Sequence, residues 1–471
     1  MSSHGYSRNF IIPDILSDIT MSTRKVRTRK PSQSIWLNLP EDEFRQHLVN
    51  LEERTNAVPI APHTFTAAEW PTTSLDGSQH SYTLPLEVEQ QLADNLACLA
   101  AVEEGAQSVA AVCIEEHPHA PRLTLRFAAL DVSLNDTIKR ALQDFSAVLS
   151  GTAARSSDCL SEPVEMLFHA VVRLHFRRLL ARLRSGRWEK PKYLSQSHKK
   201  PLWQDFKNLI HRAQFAYTKK EKSSRERVEE LLEKLGAVYK SFECSSGDEL
   251  SEMEHLIRTS FTISSSTVIQ EYLVRLEGSI CSTPTPQVAS AIKSLRQIHK
   301  IASYLRISIS LVKIAREYRE LFESGFRMAF LTPYQSVPTT IGYEKWATTC
   351  HVHAEIQLAV HYDLIAEQEG KLFLTPRAIG ISKSLCYLCY QFLRAHRGFF
   401  PSRTHGRLYD QWTLPDITDF NDDVAIRYRL ILKDIDDEVL RHTENEPELR
   451  RLEPMTSIDI YCSVLQTHDG S

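Results

Sequence analysis

An α/β fold, carrying a large and mostly helical region before or within it, is the class that the sequence predicts. Three observations predict it. Residues 350–398 run in the order helix, strand, helix; residues 108–130 read as two β-rich runs around a loop; and from 160 to about 325 helix follows helix. At 471 residues there is room for two or three domains, or one elaborated one. An apolar content of 42% and an aromatic content of 9% are ordinary for a chain with a packed core.

Bulk charge and cysteine usage narrow the function classes. A net charge of −3 excludes a global polyelectrolyte role, so any nucleic-acid contact needs a local basic patch. No apolar run approaches the roughly 18–20 residues that span a bilayer, and no membrane partner is expected. The first residues lack the basic-then-apolar layout of a signal peptide. Nine cysteines scattered from Cys98 to Cys462 suit reduced thiols. The expected location is therefore intracellular, cytoplasmic or nuclear.

In chain order, residues 1–84 read as mostly irregular or disordered, with only brief apolar islands. Their basic run TRKVRTRK (23–30) suits a solvated tail or nuclear targeting equally. The stretch 85–105 spaces Val88, Leu92, Leu96, Leu99 and Val102 at helical intervals. The runs at 108–130, around a loop with two prolines, make a loose hairpin. In the helical region Ser161 is the expected N-cap of a helix that buries Val164, Leu167, Phe168 and Val171. A charged helix spans roughly 219–243, another begins near Pro286, and a related one ends near Gly325. FRMAFLTPY and VPTTIGY then read as short strands. CHVHAEIQLAVHYDLIAEQEG reads as a helix closed by Gly370, RAIGISKSL as a strand, and CYLCYQFLRAHRG as a second helix. A C-terminal tail with a helix near 421–445 follows.

The chemistry concentrates in CHVHAEIQL (350–358) and SLCYLC (384–389). With nineteen histidines a lone H-x-E is a chance event, and His442–Glu444 is a second instance that serves as a control. A Cys-x-x-Cys pair is rarer, and both motifs open a helix with a strand between them. Cys386 and Cys389, three residues apart on a first helical turn, point to one side, and the helix N-terminus favours their thiolates. His353 and Glu355 converge only on a metal lying ahead of their helix, because side chains lean toward the N-terminus. One imidazole and two thiolates supply three zinc ligands and leave a fourth position for water, whose pKa zinc lowers toward 7. Glu355 is then a proton carrier and not a ligand.

At these residues a family resemblance enters. H-A-E at 353–355 with C-Y-L-C at 386–389 is similar to the zinc nucleoside and nucleobase deaminases. More narrowly, GISKSLCYLCYQFL and THGRLYDQW resemble the OTT-type deaminases, a branch of the cytidine deaminase-like superfamily known mostly from fungi. The resemblance covers roughly 340–415. It implies His353, Cys386 and Cys389 as zinc ligands, Glu355 as the proton shuttle, and a three-layer α/β/α fold with a mixed sheet. The helix at 85–105 and the hairpin at 108–130 would then belong to that sheet, separated from the site by the helical insertion. Leu385 stands where the family pattern has a proline, which stiffens the turn but supplies no ligand. The implied divisions are an irregular region at 1–84, a mostly helical region at 85–325 and a zinc deaminase-like core at 326–420. A helical tail at 421–471 completes them.

The resemblance implies a zinc-dependent hydrolytic deaminase acting on a nucleobase in a nucleotide or nucleic acid. The alternative is an inactive deaminase fold whose structural zinc supports a protein-interaction scaffold, with an unnamed protein partner. That alternative needs a fourth protein ligand, for which Cys350, His351 and His405 are the candidates. Otherwise His351, His405 and Trp412 are candidates for the substrate pocket, His405 bonding a base edge and Trp412 stacking on it; the plain alternative is a loop histidine and a core tryptophan. Segment 173–200 holds ten Lys/Arg against one acid, interleaved with Phe176, Trp188 and Tyr193. It is either a basic contact surface for nucleic acid or a solvated helix face.

Overall fold

The computed structural model describes residues 23–70, 82–103, 108–130, 134–155, 159–189, 200–245, 247–278, 285–366 and 373–445. The first helices are α1 (Glu41–Thr55) and α2 (Leu86–Ala100). The helical region contains α3 (Asp136–Ala154), α4 (Ser161–Leu183), α5 (Phe206–Ala216), α6 (Lys222–Cys244), α7 (Glu249–Ser264), α8 (Thr267–Gly278), α9 (Pro286–Glu317) and α10 (Arg319–Phe322). Last come α11 (Ala354–Ala366), α12 (Tyr387–His396) and α13 (Asp422–Glu444). Among the described residues no helix is long and apolar enough to cross a membrane.

The strands are β1 (His63–Thr64), β2 (Ala110–Glu116), β3 (Leu123–Ala129), β4 (Arg327–Phe330), β5 (Val337–Pro338), β6 (Thr349–Cys350), β7 (Ala378–Ile381), β8 (Phe400–Pro401) and β9 (Arg403–Thr404). Five of them form one mixed sheet in the order β4-β3-β2-β7-β8. The hairpin β2–β3 is antiparallel in register Ala110↔Ala129, and β7 pairs with β2 through Ala111↔Ile381. The hairpin near residue 120 and the strand that leads to Cys386 are thus hydrogen-bonded neighbours.

Strand alternation sends successive side chains to opposite faces, and two separate cores follow from it. Val112, Ile114, Leu125 and Phe127 join α2 and the helical region in one core. Ala111, Cys113 and Ala128 face α11 and α12 in the other. Helices therefore cover both faces. Leu92, Leu96 and Leu99 of α2 are fully buried, yet so are its polar residues Glu89, Gln90 and Asp94, because they bond the backbone of β7. Asp94 Oδ1 accepts from Ile381 N at 2.7 Å, Gln90 Nε2 donates to Ile379 O at 3.0 Å, and Glu89 Oε1 accepts from Ala378 N at 3.0 Å. Gly380 permits this closeness: a Cβ there would lie 2.0 Å from the Ala93 carbonyl carbon.

Several elements differ from the sequence reading. Within residues 1–84, read as mostly irregular, α1 packs Phe44, Leu48 and Leu51 into the core; acids in its first turn and Arg54 in its last complement the helix dipole. The run 23–30 is not a solvated tail. It lies along the domain with Arg27 on Glu41 at 2.6 Å and Arg29 Nη1 donating to Phe420 O at 2.6 Å. Ser161 is the first residue of α4, not its cap; Leu160 occupies the cap position. The two helices read between Pro286 and Gly325 are mostly one, α9, since its apolar residues bury it on nearly all sides and erase the period. The strand read over 377–385 is only β7, and the helix read from Cys350 begins at Ala354. Gly370, Tyr193 and the whole C-terminal tail beyond Asn445 lie outside the described residues.

Candidate metal and catalytic site

Two helix starts and one strand end build the site. β6 carries the chain to Cys350, and His351 is fixed by a hydrogen bond from its N–H to Gln411 O at 2.7 Å and by Thr413 N donating to its carbonyl at 3.0 Å. This extended entry ends at His353, whose carbonyl accepts from Gln357 N at 3.0 Å and so opens α11. His353 therefore stands at the mouth of the helix, and Glu355 lies in its first turn. From the other side, β7 leads through Ser382–Leu385 to Cys386, the N-cap of α12.

Cys386 caps that helix with its sulfur, which accepts from Cys389 N at 3.3 Å. Burial opposes its ionisation, but the bonds from Cys389 and the neighbouring His353 outweigh burial and hold its thiol well below the ordinary range. His353 Nδ1 lies 3.6 Å from Cys386 Sγ and 3.3 Å from Cys389 Sγ. The three donor atoms lie within 4.8 Å of one another, and among the described residues this is the group of His, Cys, Asp and Glu that could hold a metal ion. Glu355 Oε2 accepts from Cys389 Sγ at 3.8 Å. Glu355 is 3% exposed, and burial raises its pKa while His353 offsets part of the rise.

The other residues singled out in the sequence stand apart from that group. Cys350 is fully buried in the surroundings of Arg45, Glu41 and Asp410, and burial pushes its thiol up to about 11. The His351 ring lies 3.3 Å from Thr349 Oγ1 through Nε2. His405 is buried close by; its Nδ1 accepts from Arg407 N at 3.0 Å. Burial, then Arg407, Lys383 and His353, push its pKa down to about 3, so it is neutral at physiological pH.

Trp412 is a core side chain, 1% exposed and packed against Phe44 and Phe392 at ring distances of 6.4 and 6.5 Å. It cannot stack on a base in this position. Its buried indole N–H makes no hydrogen bond of ordinary geometry among the described residues, and it favours the Cys389 thiolate. The ring thus backs the site from behind.

Segment 173–200 also turns inward more than its composition suggests. Trp188 is buried, Phe176 packs on the same core, Arg184 pairs with Asp205 at 2.5 Å and Arg187 with Glu249 at 3.3 Å. Two neighbours of the site were not legible at all. Burial, then Arg178 and Arg182 of α4, push the Lys383 ammonium down to about 7, and Glu355 acts in the opposite direction. Helix α1 presses on the loop that carries Asp410 and Trp412. Lys383 sits inside the GISKSLCYLC stretch, but nothing in its spacing marks it.

Residues 352–416 match the family model described as OTT_1508_deam:-like deaminase, so this segment is OTT-type deaminase-like in sequence. The match spans both arms of the site, from His353 to Trp412. Comparison with curated proteins and with solved structures gives no match.

Proposed function

We propose that the chain is a zinc-dependent hydrolytic deaminase acting on a nucleobase in a nucleotide or nucleic acid. The observation that carries the reading is a buried carboxyl beside one imidazole nitrogen and two sulfurs, within a segment that matches a deaminase family. The donor set suits zinc. Zn–S near 2.3 Å and Zn–N near 2.0–2.1 Å at tetrahedral angles require N···S edges of about 3.5 Å, and the two here are 3.3 and 3.6 Å. His353, Cys386 and Cys389 would hold the ion, which when bound supplies Lewis acidity toward water. Helices on both faces of a mixed sheet support a cytidine deaminase-like layering.

The protein's own part is proton transfer and positioning. Glu355, buried and held next to Cys389, takes a proton from the attacking water and returns it to the departing amino nitrogen. The net change is amidine plus water to carbonyl plus ammonia. Burial favours the protonated carboxyl and thereby the return step. Cys386, fixed by the amide of Cys389, keeps the donor set ordered. The scaffold alternative needs a fourth protein donor; Cys350, His351 and His405 do not join the group of three among the described residues.

The test is ammonia release from adenine- and cytosine-containing nucleotides and oligonucleotides, with zinc content measured alongside. Glu355→Gln should retain zinc and lose activity by about a hundredfold or more. Equal activity in the variant would overturn the mechanism.

A further inference from the structure

The helical region carries a basic face whose cations lack carboxylate partners among the described residues. Residues 206–222 hold five Lys/Arg against one acid, in a chain whose net charge is −3. The nearby acids are occupied. Glu221 accepts from the amide of Thr218 at 2.9 Å and pairs with Arg275 at 2.8 Å; Asp205 pairs with Arg184 at 2.5 Å and Glu226 with Lys222 at 3.5 Å. Among the described residues Lys207, Arg212, Lys219 and Lys220 form no ion pair. Lys207, Lys219 and Lys220 are exposed, so their charges act on whatever approaches from solvent.

Aromatic rings stand among these cations. Lys207, His211 and Phe215 recur every four residues along α5, the spacing that makes side chains neighbours on a helix surface. Trp203 precedes Lys207 by four residues, in the turn that enters α5, and the Lys240 ammonium lies 5.9 Å from its ring centre. Phe215, at the other end, is 69% exposed. Its ring is nevertheless held in place: His211 meets it edge-on at 5.3 Å and 82°, and the Arg212 guanidinium lies 4.6 Å from its centre. Arg212 Nε is buried there with no hydrogen-bond partner among the described residues. Lys219 follows Phe215 by four residues, a span of at most about 14 Å. A large apolar ring kept in water beside unpaired cations is unfavourable for the folded chain alone, and a stacking anion relieves both terms.

We propose that this face of α5, with the turn after it, binds single-stranded nucleic acid: a base stacks on Phe215, and Lys207, Lys219 and Lys220 meet the backbone phosphates. Rings set among cations serve unpaired strands, because every base offers a π-face and every linkage a charge. A duplex closes its base faces by stacking and engages the lysines alone. A lipid surface takes up an apolar stripe, whereas the exposed residues of α5 are Lys207, His211, Gln214 and Phe215, with one apolar side chain among them. An acidic peptide would satisfy the lysines and leave the ring in water. The nucleic-acid contact expected of 173–200, whose Phe176 and Trp188 turn inward, is thereby placed one helix further along. The surface belongs to the helical region and does not rest on the deaminase reading.

Fluorescence anisotropy of the full-length protein tests it, with labelled twelve-nucleotide oligo-U and oligo-dT, a duplex of equal length, polyglutamate, and vesicles of phosphatidylserine and phosphatidylcholine. At least one single strand should bind about fivefold or more tighter than the duplex. Its affinity should fall with salt at a logarithmic slope of about −2, since each of three neutralised phosphates contributes about 0.7. Phe215→Ala should weaken single-strand binding about fivefold or more with the slope unchanged, and Phe215→Tyr should restore it. Joint Lys219→Gln and Lys220→Gln should lessen the slope by about 1.4. All these side chains are exposed, so urea midpoints should stay at the wild-type value. Equal affinity for the duplex, wild-type affinity in Phe215→Ala, or a slope unmoved by the lysine pair overturns the proposal. Tighter binding of polyglutamate, or vesicle binding that depends on Phe215, does so in favour of an acidic peptide or a lipid surface. Because binding is read without turnover, absence of ammonia release removes the deaminase reading and leaves this surface standing.

Discussion

Replacing Gly380 by alanine tests how the sheet holds the site. The added Cβ would lie 2.0 Å from the carbonyl carbon of Ala93, 2.4 Å from its oxygen and 2.4 Å from Asp94 N. These are backbone atoms, with no flexible side chain to swing away. Carbon atoms rest at about 3.5–4.0 Å, so α2 must retreat from β7 by about 1.5 Å. That retreat pulls on the bonds from Ile381 N to Asp94, from Ala378 N to Glu89 and from Arg377 N to Glu89. Each has a carboxyl acceptor, and a bond to a charged group is worth about 1.5–3 kcal/mol, so losing two costs about 3–6 kcal/mol. Gly151 is the control: it is exposed in α3 with nothing within 4 Å of its added Cβ, and alanine there should gain about 0.5–1 kcal/mol. Urea unfolding of both variants, with zinc per chain measured on the same samples, reads the difference. Gly380→Ala should also bind zinc less well, because Cys386 follows β7 by five residues. A loss under about 1 kcal/mol with full zinc would refute the reasoning.

Three further outcomes follow from the same geometry. Cys386→Ser should abolish zinc retention, whereas Cys350→Ser, in its separate buried surroundings, should retain the metal; equal loss in both would count against the assigned ligands. Trp412→Phe preserves an aromatic ring between Phe44 and Phe392 but removes the indole N–H, which favours the Cys389 thiolate. Zinc affinity, read by competition with a chromophoric chelator, should drop about tenfold, and an unchanged value would deny the N–H any part. Glu52 has its pKa raised to about 8 by burial, then by Asp410 and Glu344. Its stabilising contribution is complete below the unfolded value of 4.5 and is lost as pH rises through 8. Glu52→Gln should therefore gain on wild type between pH 5 and 8, by up to about 4 kcal/mol in urea titrations, and a pH-independent difference would sink this account.

The approach of His353, Cys386 and Cys389 was legible because a group that could hold a metal needs few residue types and puts them at helix starts, where side chains from distant segments converge. His353, Glu355, Cys386 and Cys389 lie at such starts. The hairpin β2–β3 was legible because alternation is a local property of strands. What escaped depends on partners. The Phe44, Leu48 and Leu51 stripe of α1 is short and surrounded by charge, so it reads as irregular until α13 and the 410–416 loop are present to bury it. Arg178 and Arg182 share a basic helix with residues that face solvent. Nothing in the composition says which side turns inward, since that is decided by α3, α7 and α9 packing against α4.

The matched segment 352–416 holds all the donor atoms of the proposed site but not the means to place them. Of the five-stranded sheet it contains only β7 and β8; the central strand β2 comes from residues 110–116. The polar side chains that bond β7 come from α2. Arg27, more than three hundred residues upstream, donates to Leu414 O at 2.5 Å and to Thr413 Oγ1 at 2.9 Å, and Ile35 N donates to Asp416 at 3.1 Å. Those bonds fix the loop that carries Trp412. The core around the cysteines runs from Val26 to Val439. Donor spacing is therefore a property of the whole described domain and not of the matched segment alone.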